Sequence, residues 1–137
     1  MPTDQLREID HVGVMVADLE AASAFLSGTF GLALEREADV VALDVKARFY
    51  RCGPVMIEVF QPNDPAVAER ELAGAPAKVE HIAIRVESLP DAIAQLSEQG
   101  VRWVHEQPVP TGPNLSAYTT PATAGGMMFQ LFAPKPD

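Results

Sequence analysis

The sequence has little cysteine, few basic residues and no long apolar run. Its single cysteine among 137 residues excludes an intrachain disulfide framework and a thiolate-rich metal cluster. Ten Lys and Arg against 19 Asp and Glu give a net charge of -9, and nucleic acid or an anionic membrane would need a basic face. No apolar run approaches the roughly 18 residues that cross a bilayer, and the first ten residues lack the apolar core of a signal peptide. We therefore expect a cytoplasmic protein with neither nucleic acid nor membrane as a partner.

What the chain does contain is enough apolar sequence for one ordinary domain. Hydrophobic residues make up 47% of its 137 positions. A chain of this size buries about two thirds of its unfolded surface, so it can form a core without disulfides. Composition leaves three classes open: a small-molecule enzyme, a binding protein and a structural domain.

The chain contains an internal repeat. Residues 9–19 and 79–89 share one pattern of apolar residue, acid, His and alternating apolar residues, at an offset of 70. Residues 56–62 and 128–134 form a second match, at an offset of 72. We interpret residues 1–137 as one domain built from two modules. The predicted bounds are 8–62 for module 1, 63–78 for the linker and 79–134 for module 2.

Each module is predicted to have the order β-α-β-β-β. Apolar residues at helical spacing predict helices over 19–30 and 89–99, with Asp18 and Ser88 as caps and Gly31 and Gly100 as their ends. Apolar alternation between turn residues predicts the strands, and a short helical patch falls in the linker. The predicted strands are 11–16, 40–45, 46–52 and 55–60 in module 1, and 102–105, 116–119 and 127–132 in module 2; residues 108–113 are predicted to be a loop.

Four polar residues occupy matched positions in the two modules. His11 and His81 lie in the first strands, and Glu58 and Gln130 lie in the last strands. If first and last strands are neighbours, and a pseudo-two-fold relates the modules, all four side chains converge. Two imidazoles, a carboxylate and an amide oxygen suit a divalent Mn, Fe, Co, Ni or Zn ion. We therefore predict one metal ion held by His11, Glu58, His81 and Gln130.

Glu58 supports this interpretation because its strand is otherwise apolar. Strand alternation places Glu58 on one face with Met56 and Phe60. A carboxylate on an inward face is costly unless it is paired or bound to a metal.

The repeated segments resemble the vicinal oxygen chelate superfamily, which includes glyoxalase I, extradiol dioxygenases and the bleomycin-binding proteins. Within it they look most like the methylmalonyl-CoA epimerases. The resemblance implies an α+β glyoxalase-like fold, in which two βαβββ modules form a curved, open barrel-like mixed sheet around a central site. It also places the metal ligands at the four positions named above. The segments that carry the resemblance are Ile9–Val14, Phe30–Leu32, Met56–Pro62, Val79–Val86, Glu98–Arg102 and Pro121–Leu131.

The chain departs from the epimerase pattern at two places. The epimerases have ligands in the order His, Gln, His, Glu, whereas this chain has His, Glu, His, Gln. Their acid/base Glu is expected within residues 36–44, where our alignment places Ala42. Glu37, Asp39 and Asp44 are nearby substitutes. The catalytic candidates are therefore Glu58, Asp44 and Glu37.

The resemblance implies a metal-dependent epimerase or isomerase that acts through an enolate on a 2-acyl thioester. Lys46, Arg48 and Arg51 form a basic patch that could bind the phosphates of coenzyme A. Three alternatives stay open: a lactoylglutathione lyase of the glyoxalase I type, an extradiol dioxygenase, and a metal-free small-molecule binding or resistance protein. Members of the superfamily usually dimerise, so a homodimer is expected.

Overall fold

The computed structural model describes all 137 residues and shows an α+β protein with eight strands and three α-helices. The helices are α1 (Leu19–Ala24), which continues into a π-helical turn (Phe25–Thr29), α2 (Pro65–Leu72) and α3 (Leu89–Glu98). None of them combines the length and apolar character needed to cross a membrane. The strands are β1 (Leu6–Val16), β2 (Ala33–Val40), β3 (Val45–Cys52), β4 (Val55–Pro62), β5 (Ala77–Val86), β6 (Val109–Thr111), β7 (Asn114–Tyr118) and β8 (Phe129–Pro134).

The chain forms two compact units with the same strand arrangement. The N-terminal unit comprises residues 11–80, and the C-terminal unit comprises residues 1–10 and 81–137. Strand order is β2-β3-β4-β1 in the first and β5-β8-β7-β6 in the second. In both units the first strand of the module runs parallel to its last strand, and the remaining neighbours are antiparallel. First and last strands of each module are therefore neighbours, which is the condition that the predicted site requires.

Both predicted helix caps are confirmed. The side chain of Asp18 accepts a hydrogen bond from the backbone N–H of Ala21, and Ser88 does the same for Asp91. The first helix is shorter than predicted because the backbone widens after Ala24 into the π-helical turn. The turn ends at Thr29, and Gly31 follows its cap residue Phe30 with a φ of 71°, a conformation that glycine adopts without a steric penalty.

The prediction of a strand over residues 40–45 is wrong. Residues Val41–Leu43 form a single 3-10 turn, and Asp44 after them has a positive φ of 55°. The strand lies earlier, as β2, and is mostly exposed. Because β2 buries no regular face, its sequence lacks the alternation that would reveal it. Its pairing with β3 defines it as a strand.

The prediction of a strand over residues 102–105 is also wrong. Only Trp103 forms an isolated bridge, to Thr119. The missing strand is β6, which lies within the predicted loop and contains Pro110. As the last strand of its sheet order, β6 has an unpaired side that tolerates a proline.

Apolar side chains cover both faces of the strands in the N-terminal unit. On one face, α1 packs through Leu19 against Tyr50 and Val59. The other face holds a second cluster, which includes Phe49 and Phe60. The C-terminal unit has its own core, built around Val86, Leu89, Ala92, Ala117, Leu131 and Ala133.

Candidate metal centre

In the N-terminal unit, strands β1 and β4 bring His11 and Glu58 together. Gly13 pairs with Glu58 in the parallel register, and His11 lies two residues before Gly13 on the same face. Nε2 of His11 is 3.2 Å from Oε1 of Glu58, and the two side chains are only 5% and 9% exposed. The predicted imidazole–carboxylate pair therefore exists inside this unit.

Two side chains that the sequence analysis did not single out adjoin this pair. Phe49 pairs with Glu58 across β3 and β4, and its ring meets the His11 imidazole edge-on, with centroids 5.1 Å apart. Cζ of Arg36 lies 3.7 Å from the centroid of the Phe49 ring. The register of β2, β3 and β4 places Phe49 beside His11 and Arg36 over the Phe49 ring, and no local sequence pattern reveals that register.

The C-terminal unit repeats the arrangement with His81 and Gln130. Ala83 pairs with Gln130 between the parallel strands β5 and β8, and His81 lies two residues before Ala83. This is the same offset that relates His11 to Glu58. Both His81 and Gln130 are buried, and the His81 ring meets the Tyr118 ring edge-on at 5.8 Å.

The amide group of Gln130 has a defined orientation. Its Nε2 donates a hydrogen bond of 2.9 Å to Oγ of Ser116, which is fully buried. The Ser116 hydroxyl in turn shares a hydrogen bond of 2.7 Å with Oγ1 of Thr111. Since the amide nitrogen is engaged by Ser116, the amide oxygen is the atom that Gln130 can offer to a cation. Ser116 was predicted only as part of a strand, and no spacing in the sequence linked it to Gln130.

Glu37 and Asp44 are not brought to Glu58. Glu37 pairs with Arg48, one residue out of phase with the Phe49–Glu58 pair, so its side chain lies on the opposite face. It is 61% exposed and contacts Nε of Arg48 at 3.1 Å. Asp44 lies in the exposed turn before β3, where its carboxylate accepts a hydrogen bond of 3.0 Å from Nδ2 of Asn63. At about 3.3 Å per residue, the turn is roughly 17 Å along the strand from Phe49.

The basic patch of the sequence analysis is largely neutralised by carboxylates. Nη2 of Arg48 contacts Glu20 at 2.6 Å, and Nη2 of Arg51 lies 3.4 Å from Glu35. The hydrogen bond to Arg48 lowers the pKa of the Glu20 carboxyl, and the same bond raises the pKa of Arg48. Of the three residues, only Lys46 keeps a cationic group outside these ion pairs.

Fold and side chains together define a class of protein. Each unit has the β-α-β-β-β order and presents one buried histidine beside a carboxylate or an amide on adjacent parallel strands. A profile of the glyoxalase/bleomycin resistance protein/dioxygenase superfamily matches residues 10–119. The chain belongs to this superfamily.

Two proteins are similar to this chain over most of its length. Mitochondrial methylmalonyl-CoA epimerase of Bos taurus is 24% identical over 133 residues, which is 95% of this chain and 76% of that protein. The uncharacterized protein YwkD of Bacillus subtilis (strain 168) is 28% identical over 113 residues, 79% of this chain and 81% of that protein.

Solved structures confirm the predicted α+β glyoxalase-like fold. The crystal structure of methylmalonyl-CoA epimerase from Mycobacterium tuberculosis matches with a TM-score of 0.87 at 26% identity, covering 99% of this chain and 93% of that chain. A variant of the Streptomyces coelicolor methylmalonyl-CoA epimerase, in complex with 2-nitronate-propionyl-CoA, matches with a TM-score of 0.85 at 20% identity, covering 96% of this chain and 99% of that chain.

Proposed function

We propose that this protein is a metal-dependent epimerase that acts through an enolate on a 2-acyl thioester of the methylmalonyl-CoA type. Support comes from the superfamily match and from the similarity to epimerases over nearly the full chain. The observation that carries the proposal lies within each unit: Nε2 of His11 is 3.2 Å from Oε1 of the buried Glu58 in the N-terminal unit, and the buried His81 and Gln130 repeat this pair in the C-terminal unit.

The proposed metal ligands are His11, Glu58, His81 and Gln130. Two neutral imidazoles, one carboxylate and one amide oxygen match the preferences of Co, Mn, Ni, Zn or Fe in the divalent state. With a single carboxylate among these ligands, the site keeps a net charge near +1. The hydrogen bond from Gln130 to Ser116 supports the assignment, because it orients the amide oxygen as the available donor.

In the proposed reaction, a divalent ion supplies a Lewis acid that polarises the thioester carbonyl and makes the α-proton more acidic. Glu58 removes that proton as a general base from one face of the α-carbon, and a second group must deliver a proton to the opposite face for the configuration to invert. Glu37 and Asp44 stay predictions for a second proton carrier, and neither contacts Glu58.

We further propose that the protein is a cytoplasmic homodimer. The sheet order leaves β2 and β6 as terminal strands, and exposed sheet edges are commonly covered by a partner. Sedimentation of the purified protein at micromolar concentration tests the homodimer directly, and a monomer would contradict it.

Exchange of the α-proton tests the catalytic proposal. Protein loaded with cobalt is mixed with methylmalonyl-CoA in deuterium oxide, and we expect deuterium to appear at the α-carbon. His11→Ala should lose both the exchange and the stoichiometric metal, whereas His105→Ala, which changes the third histidine of the chain, should keep both. Absence of exchange in metal-loaded wild-type protein would contradict the proposal.

The same preparations separate the alternatives. Turnover of methylglyoxal with a thiol would favour the lyase, and oxygen uptake with catechols would favour the dioxygenase. Protein that binds no metal, when purified without chelator, would favour the metal-free binding protein.

A further inference from the structure

Arg36 places a guanidinium group on the face of the N-terminal unit that carries His11 and Glu58. Arg36 pairs with Phe49, and Phe49 pairs with Glu58, so the three side chains lie on one face. The guanidinium carbon lies 3.7 Å from the Phe49 ring centroid, and the Phe49 ring centroid lies 5.1 Å from that of His11. Arg36, Phe49 and His11 therefore form a continuous series of contacts.

The surroundings of Arg36 differ from those of the arginines that follow it. Arg48 contacts Glu20 at 2.6 Å, and Arg51 contacts Glu35 at 3.4 Å, so both charges are balanced by carboxylates of the chain. The charged group of Arg36 lies against an aromatic ring instead. A guanidinium held over a ring keeps the N–H groups at its rim available for two parallel hydrogen bonds to a carboxylate.

The distances favour an anionic group close to the reacting carbon. Cζ of Arg36 is 3.7 Å from the centre of the Phe49 ring, which is 5.1 Å from the centre of the His11 ring. Cζ of Arg36 is therefore at most about 9 Å from the centre of the His11 ring. That distance is short enough for a carboxylate on the α-carbon of a thioester bound beside His11 to reach the guanidinium group of Arg36. The phosphates of coenzyme A do not, because the whole pantetheine arm separates them from the thioester.

We propose that Arg36, stacked on Phe49, binds a substrate carboxylate next to the reacting carbon and so selects malonyl-type thioesters over uncharged ones. This inference rests on the proposed function, which it deepens by assigning the residue that recognises the substrate carboxylate. The net charge of -9 opposes the approach of an anionic substrate, and a cation at this place offsets that repulsion locally.

The test compares two substrates and three variants. The cobalt-loaded wild type and the Arg36→Gln, Arg36→Lys and Arg70→Gln variants are assayed for α-deuterium exchange with methylmalonyl-CoA and with its carboxyl methyl ester. We expect Arg36→Gln to lower kcat/KM for the carboxylate by roughly 10- to 100-fold, as a lost charge-assisted bidentate contact does, and to leave the ester within about twofold. Arg36→Lys should recover part of the loss. Arg70→Gln should behave as wild type, because Arg70 lies on α2 and contacts Glu71 at 3.4 Å.

Binding of malonate to the same cobalt-loaded proteins gives a readout that does not depend on turnover. Calorimetric titration should show weaker malonate binding in Arg36→Gln than in wild type and in Arg70→Gln. If wild-type protein exchanges neither substrate, the proposed function fails, and the malonate titration still decides whether Arg36 binds a carboxylate. Equal losses for acid and ester, or unchanged malonate affinity in Arg36→Gln, would overturn the inference. If Arg36→Gln does not fold, the same two comparisons are made with Arg36→Lys, which should show a smaller loss for the acid than Gln would and none for the ester.

Discussion

Replacing Ser116 with alanine tests whether Gln130 acts as an oriented metal ligand. The substitution removes the hydroxyl that accepts from Nε2 of Gln130 at 2.9 Å and that bonds Thr111 at 2.7 Å. Ser116 is fully buried, so water does not replace the lost hydroxyl. The amide of Gln130 then loses the contact that distinguishes its nitrogen from its oxygen.

Two effects of this substitution can be estimated separately. A buried amide nitrogen left without an acceptor costs about 1–3 kcal/mol in the free energy of unfolding. Thr111 is half-buried and can turn its hydroxyl to water, so it adds little. Removing a group that orients a metal ligand typically weakens metal binding by about 10- to 100-fold. We therefore expect Ser116→Ala to lose about 2 kcal/mol of stability and at least about tenfold in cobalt affinity.

Urea unfolding of the metal-free protein and calorimetric titration with cobalt measure the two effects. Ser23→Ala is the matched control, because Ser23 is also a buried serine whose Oγ accepts a hydrogen bond, of 2.9 Å from Arg48. It should reduce stability by a similar amount and leave cobalt affinity unchanged. If Ser116→Ala is destabilised but binds cobalt as tightly as wild type, the assignment of Gln130 as an oriented ligand is refuted.

Two further predictions follow from the ligand set and from the surface charges. Glu58→Gln removes the only proposed carboxylate ligand and should weaken cobalt binding sharply. Adding Gln130→Glu restores one carboxylate, in the ligand order of the epimerases, and should recover most of the cobalt affinity. No recovery in the double variant would mean that the two positions do not share one ion. The pKa of Glu20 is lowered by its hydrogen bond to Arg48, so this bond stabilises the protein above the ordinary pKa of 4.5 and is lost as pH falls through the lowered value. Urea unfolding should therefore show Glu20→Gln less stable than wild type at pH 7, with a difference that shrinks as pH falls below 4.5. A difference that does not change with pH would contradict the assignment.

The sequence alone was enough to predict the repeated architecture and the four proposed ligands. The helix caps Asp18 and Ser88 act through contacts within three residues, and strand alternation is a local property, so both can be read without a structure. The offset between the modules shows from the sequence alone that Glu58 and Gln130 occupy equivalent positions of the repeat.

The errors of prediction have a common cause. Strand β2 is mostly exposed, and β6 is a three-residue strand with a proline. Each is defined by its pairing with a neighbouring strand, and neither has the apolar alternation that would predict it. Glu37 was a reasonable candidate by position, but a shift of one residue in register places a side chain on the opposite face.

The tertiary structure decided which side chains surround the histidines. Arg36 and Phe49 are 13 positions apart. Phe49 meets His11, and Arg36 stacks on Phe49, only because β2, β3, β4 and β1 are neighbouring strands in a fixed register. Ser116 meets Gln130 only because β7 pairs with β8. Local sequence patterns thus predict the two modules and the candidate ligands. Non-local strand pairing determined the groups around them, because register depends on the whole sheet and no short stretch of sequence encodes it.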